Sequence, residues 1–388
     1  MKIGFIGNLS LESVLPEDCI RAKIRGVHVH PTPWIAALLP HLAKISGYQL
    51  RIFLPSWNVT KHVIVEKDGV EYEAMPCRVP NRFNYENIFL GKSLAIGKYV
   101  RAYNPDLIHA FGMETGSAKI ALRTGYPTSC FIQGIAEDYC PYSSVGLIHR
   151  QVMLWAERSS AKQLKWIVAE AKYAKKWALK YNKEARVSVI PHPLREDFLN
   201  HPVPIPSKKM ISIGTMGDHK GMDIVLRAFA KVKDNEASLC LVGNGPKLND
   251  LKNLASGLGI GNKVEFTGAL NTQNVIAKMR DSGVYVIASR VDTSPNVLTE
   301  AHAIGLPVIG TRVGGIPEMI DEGVDGYLVD MDDTDALAEK MGKLLSNQSL
   351  CGIMGKAGRE KVMILNDPKR IAEAHFDFFN EINTELKR

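Results

Sequence analysis

Asp292 and Glu300 are separated by seven residues in the stretch Asp292-Thr293-Ser294-Pro295-Asn296-Val297-Leu298-Thr299-Glu300. A strand is expected over residues 284–289, then a loop, then a helix opening at Ser294-Pro295. Serine is a favoured N-cap and proline a favoured first helical residue. On that reading the N–H groups of Asn296 and Val297 point out of the helix end. Together with the positive end of the helix dipole they suit a phosphate group. Glu300, on the second turn, is placed to accept hydrogen bonds from the ribose hydroxyls of a ligand bound over that end. An ordinary capped helix with a solvated glutamate fits the same residues, so the neighbouring loops decide between the two.

Those loops point to the same chemistry. Gly214-Thr215-Met216-Gly217-Asp218-His219-Lys220-Gly221 leaves a strand through three glycines and offers one lysine before a helix. Small residues let backbone approach a phosphate, and Lys220 supplies compensating charge. Gly243-Asn244-Gly245-Pro246 ends a second strand, and Val313-Gly314-Gly315-Ile316-Pro317 leads into another helix. Several glycine turns at the strand ends of one sheet, with a lysine and a helix start among them, indicate a site for a nucleoside diphosphate.

The elements that must hold these groups form two α/β halves. Strands are expected at 2–6, 49–54, 106–109, 128–132, 166–169 and 187–190, with a helix over 33–46. In the second half they fall at 210–214, 239–243, 264–268, 284–289, 307–311 and 327–329, with a helix over 222–233. Such alternation implies parallel sheets covered by helices on both faces, with ligands at the carboxyl ends of the strands. The prolines at 191, 193, 202, 204 and 206 cannot continue a helix or an inner strand and mark a linker. The expected domains are 1–195 and 196–367, and a last helix within 368–388 is long enough to return to the first.

The 388 residues are 45% apolar and 23% charged, the composition of a globular protein. No run approaches the roughly 18–20 apolar residues of a bilayer span. Six cysteines form no C-x-x-C pair, and the start of the chain carries no signal-peptide pattern. The expected location is therefore the cytoplasm. Up to Arg195 there are 26 Lys and Arg against 15 Asp and Glu, a balance of +11; the remainder carries −4. A basic half suits an anionic surface or substrate. The tract 162–186 interleaves seven lysines with Trp166, Tyr173, Trp177 and Tyr181, a pattern compatible with peripheral contact at the inner face of an anionic membrane. Asp330-Met331-Asp332-Asp333 contains D-x-D, but its place before a helix favours a cap over a metal site. There is no zinc-ligand spacing, no G-x-x-x-x-G-K-[ST] and no G-x-S-x-G.

The ordered set MISIGTMGDHKGMDIVLRAF, LCLVGNGP, KVEFTGAL and DTSPNVLTEAHAIGLPVIGTRVGGIPEMIDEGVDGYLV resembles glycosyltransferase family 4, with Asp292-x7-Glu300 in the place of its E-x7-E signature. PDLIHAFG, VSVIPHPLREDF and the loop containing Gly26 match more loosely. The resemblance implies a GT-B fold, two Rossmann-like parallel-sheet domains facing a central cleft. It also implies a retaining transfer of sugar from a UDP- or GDP-sugar to a hydroxyl of a glycan or glycolipid, as in bacterial-type polysaccharide synthesis, without a metal or other cofactor and without nucleic acid. Glu300 would bind the donor ribose and Asp292 would face the donor sugar. Lys220 and the amides of Asn296 and Val297 would hold the diphosphate, beside Gly214, Thr215, Asn244 and Ser294. Gly26 would meet the donor from the first domain, and Thr267 would lie near the base.

Four departures from the family pattern stand out. Asp292 replaces the usual first glutamate, Thr215 an arginine common beside the lysine, and Ser294 an aromatic residue. Gln133 stands where many members have a histidine near the reacting centre. A glutamine orients a hydroxyl by hydrogen bonding but does not act as a base, which leaves His109 and Glu114 as candidates to assist. A sugar-nucleotide epimerase or hydrolase on the same plan, and a non-catalytic sugar-nucleotide-binding subunit, are the alternative readings.

Overall fold

The computed structural model describes residues 1–7, 9, 11, 14–20, 33–77, 85–143 and 145–388. It divides into two compact units, Met1–Pro193 with Pro368–Arg388, and Leu194–Asp367. The first unit carries strands β1 (Lys2–Ile6), β2 (Gln49–Ser56), β3 (Val63–Lys67), β4 (Val70–Pro76), β5 (Leu107–Phe111), β6 (Thr128–Ile132), β7 (Trp166–Ala169) and β8 (Arg186–Val189). Its helices are α1 (Pro33–Ser46), α2 (Tyr85–Tyr103), α3 (Ser117–Leu122), α4 (Ala136–Tyr139), α5 (Leu147–Gln163) and α6 (Lys172–Tyr181). The strand order is β3-β4-β2-β1-β5-β6-β7-β8. Every neighbour is parallel except β3, which runs antiparallel to β4. That hairpin was not expected from the sequence. It turns at Asp68-Gly69, both with positive φ (54° and 78°), the requirement of a two-residue type I′ turn.

The second unit has strands β9 (Lys209–Ile213), β10 (Ser238–Val242), β11 (Val264–Gly268), β12 (Val284–Ile287), β13 (Val308–Thr311) and β14 (Gly326–Val329). They form one parallel sheet in the order β11-β10-β9-β12-β13-β14. Helices α7 (Met222–Ala230), α8 (Leu248–Gly257), α9 (Thr272–Arg280), α10 (Asn296–Ile304), α11 (Ile316–Met319), α12 (Thr334–Leu345) and α13 (Gln348–Leu365) connect the strands or follow them. Helix α7 buries Val225, Ala228 and Phe229 against Met210, Leu239 and Val286 of the sheet. It ends three residues before the expected 233, because Lys231 and Val232 donate to Ala228 and Phe229 in tighter turns. Leu194 and Phe198 belong to this unit's core, so the segment after Pro193 is anchored there.

Helix α14 (Pro368–Leu386) returns to the first unit. Its Ile371, Phe378, Phe379 and Ile382 join Ile3, Phe5, Trp34 and Leu38 in one core, each at most 4% exposed. Burying four such side chains stabilises the docking by roughly 1.5–3 kcal/mol apiece. All six cysteines are buried and unpaired.

Candidate active site

In the second unit, the loops at the carboxyl ends of β9, β10, β12 and β13 are stitched together through backbone. Gly214 N–H donates to Val242 and Met216 N–H to Asn244. A Cβ on Gly243 (φ 138°) would lie 1.9 Å from the Gly214 carbonyl oxygen, and one on Gly221 (φ 61°) 1.9 Å from that of Ala288. Only glycine fits where backbones approach this closely. The result is a rigid floor from which Lys220 projects at the end of a single helical turn, Asp218–Lys220.

The Lys220 ammonium is 2.6 Å from Asp292 Oδ2. Asp292 is 5% exposed, and Ser289 Oγ stands 3.4 Å from the same carboxylate oxygen. The Asp292 backbone is fixed as well: its carbonyl accepts from Gly315 N–H, and Gly314 (φ 56°) passes so close that a Cβ would meet that oxygen at 1.8 Å. Thr215 is exposed and brings no charge, so Lys220 is the cation of this loop.

Helix α10 begins one residue later than expected. Pro295 takes the cap position with φ −68° and ψ 112°, and no side chain caps the helix. Ser294 is therefore not the N-cap; its hydroxyl lies 3.9 Å from the Met319 sulfur. Proline's fixed φ serves an extended cap as readily as a first helical turn, and that freedom decides the register. Asn296 and Val297 remain the first two helical residues, with amides directed to the helix end.

Glu300 is not a solvated helix glutamate. It is 5% exposed, and Arg195 reaches its Oε1 with Nε at 2.9 Å and Nη2 at 2.8 Å. Burial pushes the Glu300 pKa up, while Arg195 works against that shift. Arg195 also donates to Thr272 Oγ1 at 3.1 Å and lies 4.7 Å over the Phe198 ring. Sequence reasoning missed Arg195, which lies 105 residues from its partner. Tyr285 on β12 has a buried, unpartnered hydroxyl, and the carboxylates of Asp292 and Glu300 add to burial in raising its pKa. Asn244 Oδ1 accepts from Gly245 N–H at 2.8 Å, and the Thr267 hydroxyl donates to Gly268 at 2.9 Å. Both side chains thus engage local backbone.

In the first unit, Gly112 (φ 88°) ends β5 under a ring of oxygens. A Cβ there would meet Glu114 Oε1 at 2.7 Å, and Gln133 Oε1 and Thr115 Oγ1 at 2.8 Å each. Glu114 Oε2 and Gln133 Nε2 are buried without a partner. Desolvation raises the Glu114 pKa to about 8. His109 lies apart from this group, contrary to expectation. Its side chain is fully buried, bonded to Ser129 Oγ at 2.8 Å and ringed by Phe5, Phe111 and Phe379. Burial beside His375 holds its pKa well below the usual value; it is a core residue. Gly26 lies outside the described residues.

A stability prediction follows from Glu114. A carboxyl whose folded pKa is raised from 4.5 to about 8 contributes stability that is complete below 4.5 and lost as pH rises through 8. Glu114→Gln should therefore flatten the fall in melting temperature between those values. Glu157, also raised to about 8 by burial, keeps a residual slope. An unchanged slope in the variant would contradict the placement of Glu114.

The basic tract is organised differently from its sequence pattern. Tyr173 donates to Asp138 at 2.8 Å, while Trp177 and Tyr181 donate to Glu137 at 3.0 and 2.7 Å. Trp166 belongs to β7 and donates to Glu385. These aromatics are tied to acids of the fold rather than presented with the lysines. In the D-x-D stretch, Asp333 caps α12 and Asp332 pairs with Arg290 at 2.7 Å.

Residues 33–198 match the family model Glycosyltransferase Family 4, and residues 194–361 match that of Glycosyl transferases group 1. N-acetyl-alpha-D-glucosaminyl L-malate synthase of Bacillus anthracis is 38% identical over 156 residues, which is 40% of each chain. Among solved structures, sucrose-phosphate synthase from Thermosynechococcus elongatus superposes with a TM-score of 0.79 at 19% identity, covering 99% of this chain and 100% of that one. HepE of Anabaena in complex with UDP-glucose does so at 0.72 and 16%, covering 99% and 100%. Two parallel-sheet units, the signature carried by α10 and matches running from residue 33 to 361 agree: the chain belongs to glycosyltransferase family 4 and has the GT-B fold.

Proposed function

We propose that the chain transfers a glycosyl group, with retention, from a UDP- or GDP-sugar to a hydroxyl of a glycan or lipid-linked acceptor. The observation that carries this reading is the convergence of Lys220, the uncapped start of α10 and buried Glu300 at the carboxyl edge of one parallel sheet. The bond from the anomeric carbon to the diphosphate breaks with its electron pair passing to phosphate. Lys220 and the first amides of α10 stabilise that growing charge, the role a divalent cation plays elsewhere. The acceptor oxygen bonds to the anomeric carbon on the same face, and its proton passes to the departing diphosphate oxygen, which has gained the electron pair.

Glu300 accepts from the ribose hydroxyls and Asp292 from the donor sugar, sharing Lys220 with the diphosphate. The unpartnered amide of Gln133 orients a substrate hydroxyl. A relative's structure with UDP-glucose supports a nucleotide-sugar donor. The test is incubation with a panel of UDP- and GDP-sugars, with and without glycan and glycolipid acceptors, following nucleoside diphosphate release and product anomer. Acceptor-dependent release with retained configuration is expected. Equal release without acceptor would indicate a hydrolase instead.

A further inference from the structure

Helices α2, α3 and α5 pack against one another in the first unit. They carry seven Lys and Arg (92, 98, 101, 119, 150, 158 and 162) and two acids, Glu86 and Glu157. Glu157 is fully buried and turned inward, where it accepts from the Ala136 and Glu137 amides at 2.6 and 3.2 Å. Burial lowers the Lys92 pKa and Arg158 pairs with Glu137 at 3.3 Å, so the outward positive charge of this layer rests on Lys98, Arg101 and Lys162, with half-buried Lys119 and Arg150.

The outer face of the layer is also apolar. Leu94, Leu147 and Ile148 are 72%, 75% and 79% exposed, and Trp155 is 47% exposed. At about 100° per residue, positions 147, 148, 151, 155, 158 and 162 of α5 share one arc. Ala156, Glu157, Ser160 and Ala161 occupy the buried side. One face of α5 thus presents Leu147, Ile148 and Trp155 over its first turns, and beyond them Lys162 and Arg158, the latter paired with Glu137. The Lys119 ammonium, from α3, lies 4.7 Å over the Trp155 ring, so cation and aromatic are presented together.

We propose that the α2–α3–α5 layer docks on an anionic lipid bilayer, with Leu147, Ile148 and Trp155 entering the boundary between headgroups and acyl chains. Clustered exposed apolar side chains mark an interaction surface. Flanking exposed cations select a negatively charged partner, and aliphatic, aromatic and basic groups on one helix face suit a membrane interface. Helix α6, with its aromatics held by Glu137 and Asp138, lacks the apolar half of that combination.

The proposal goes beyond the nucleotide-sugar reading and is tested apart from it, by sedimentation of the full chain with vesicles. Binding is expected to phosphatidylcholine vesicles containing phosphatidylglycerol, not to phosphatidylcholine alone, and to weaken as salt is added. The Leu147→Glu/Ile148→Glu variant should lose roughly tenfold or more in partitioning while keeping its melting temperature. Lys175→Gln/Lys176→Gln on α6 should stay within about twofold of the parent. Equal binding to neutral vesicles, or undiminished binding by the α5 variant, would overturn the proposal. So would a protein dimer that the α5 variant dissolves, with no vesicle binding by the parent.

Discussion

Glu300→Gln is expected to weaken binding of the cognate nucleoside diphosphate by about ten- to a hundredfold, the range for hydrogen bonds to a charged group. The substitution keeps the shape of the side chain and removes the charge that Arg195 grips at 2.8–2.9 Å. Folding and binding effects separate by experiment. The ligand-free melting temperature reports the loss of a nearly buried ion pair, and titration calorimetry reports the ribose contact. A 2′,3′-dideoxy nucleoside diphosphate supplies the control, since it lacks the hydroxyls that Glu300 accepts from. The parent should prefer the ribose form, and the variant should bind both forms about equally. A variant that still discriminates would remove Glu300 from the ribose site. Arg195→Met should act through the same carboxylate: without its counter-charge the burial of Glu300 goes unopposed and its pKa rises further. The variant should then bind worst at low pH and recover as pH rises.

Gly221→Ala is expected to cost roughly 2–4 kcal/mol of stability, from a left-handed backbone combined with a steric collision. The new Cβ would stand 1.9 Å from the Ala288 carbonyl oxygen, at the end of β12, so the loop bearing Lys220 must move off the sheet. Nucleotide affinity should fall with it. Gly268→Ala is the comparator, because it shares a positive φ (70°) and meets nothing within 4 Å. It should cost only about 1–2 kcal/mol. The difference between the two, read from denaturant melts, isolates the close approach. Equal costs would show that backbone conformation alone matters at Gly221.

The parallel strands were legible because they are short, mostly apolar runs buried on both faces, as at Leu107–Phe111 and Val284–Ile287. The β3–β4 hairpin escaped notice because Glu66, Lys67, Asp68, Glu71 and Glu73 dilute its apolar signal. The Asp68-Gly69 turn was the available clue. Lys220, Asp292 and the α10 start were legible from local spacing, which reflects loops at neighbouring strand ends. Two features were not. The pairing of Arg195 with Glu300 joins segments distant in sequence, and no periodicity encodes it. The burial of His109 depends on α14 closing over β5, so a strand-end histidine three residues before Gly112 stood as a candidate to assist when the fold walls it in with phenylalanines. The same limit applied to the basic tract, where Glu137 and Asp138 turn its aromatics inward.

The most direct measurement is calorimetric titration of the parent and of Lys220→Ala with UDP and GDP and with their nucleosides. The parent should bind one diphosphate far more tightly than its nucleoside, and Lys220→Ala should erase most of that gap. A parent that binds diphosphate and nucleoside alike, or a gap untouched by the loss of Lys220, would contradict a diphosphate site at the start of α10.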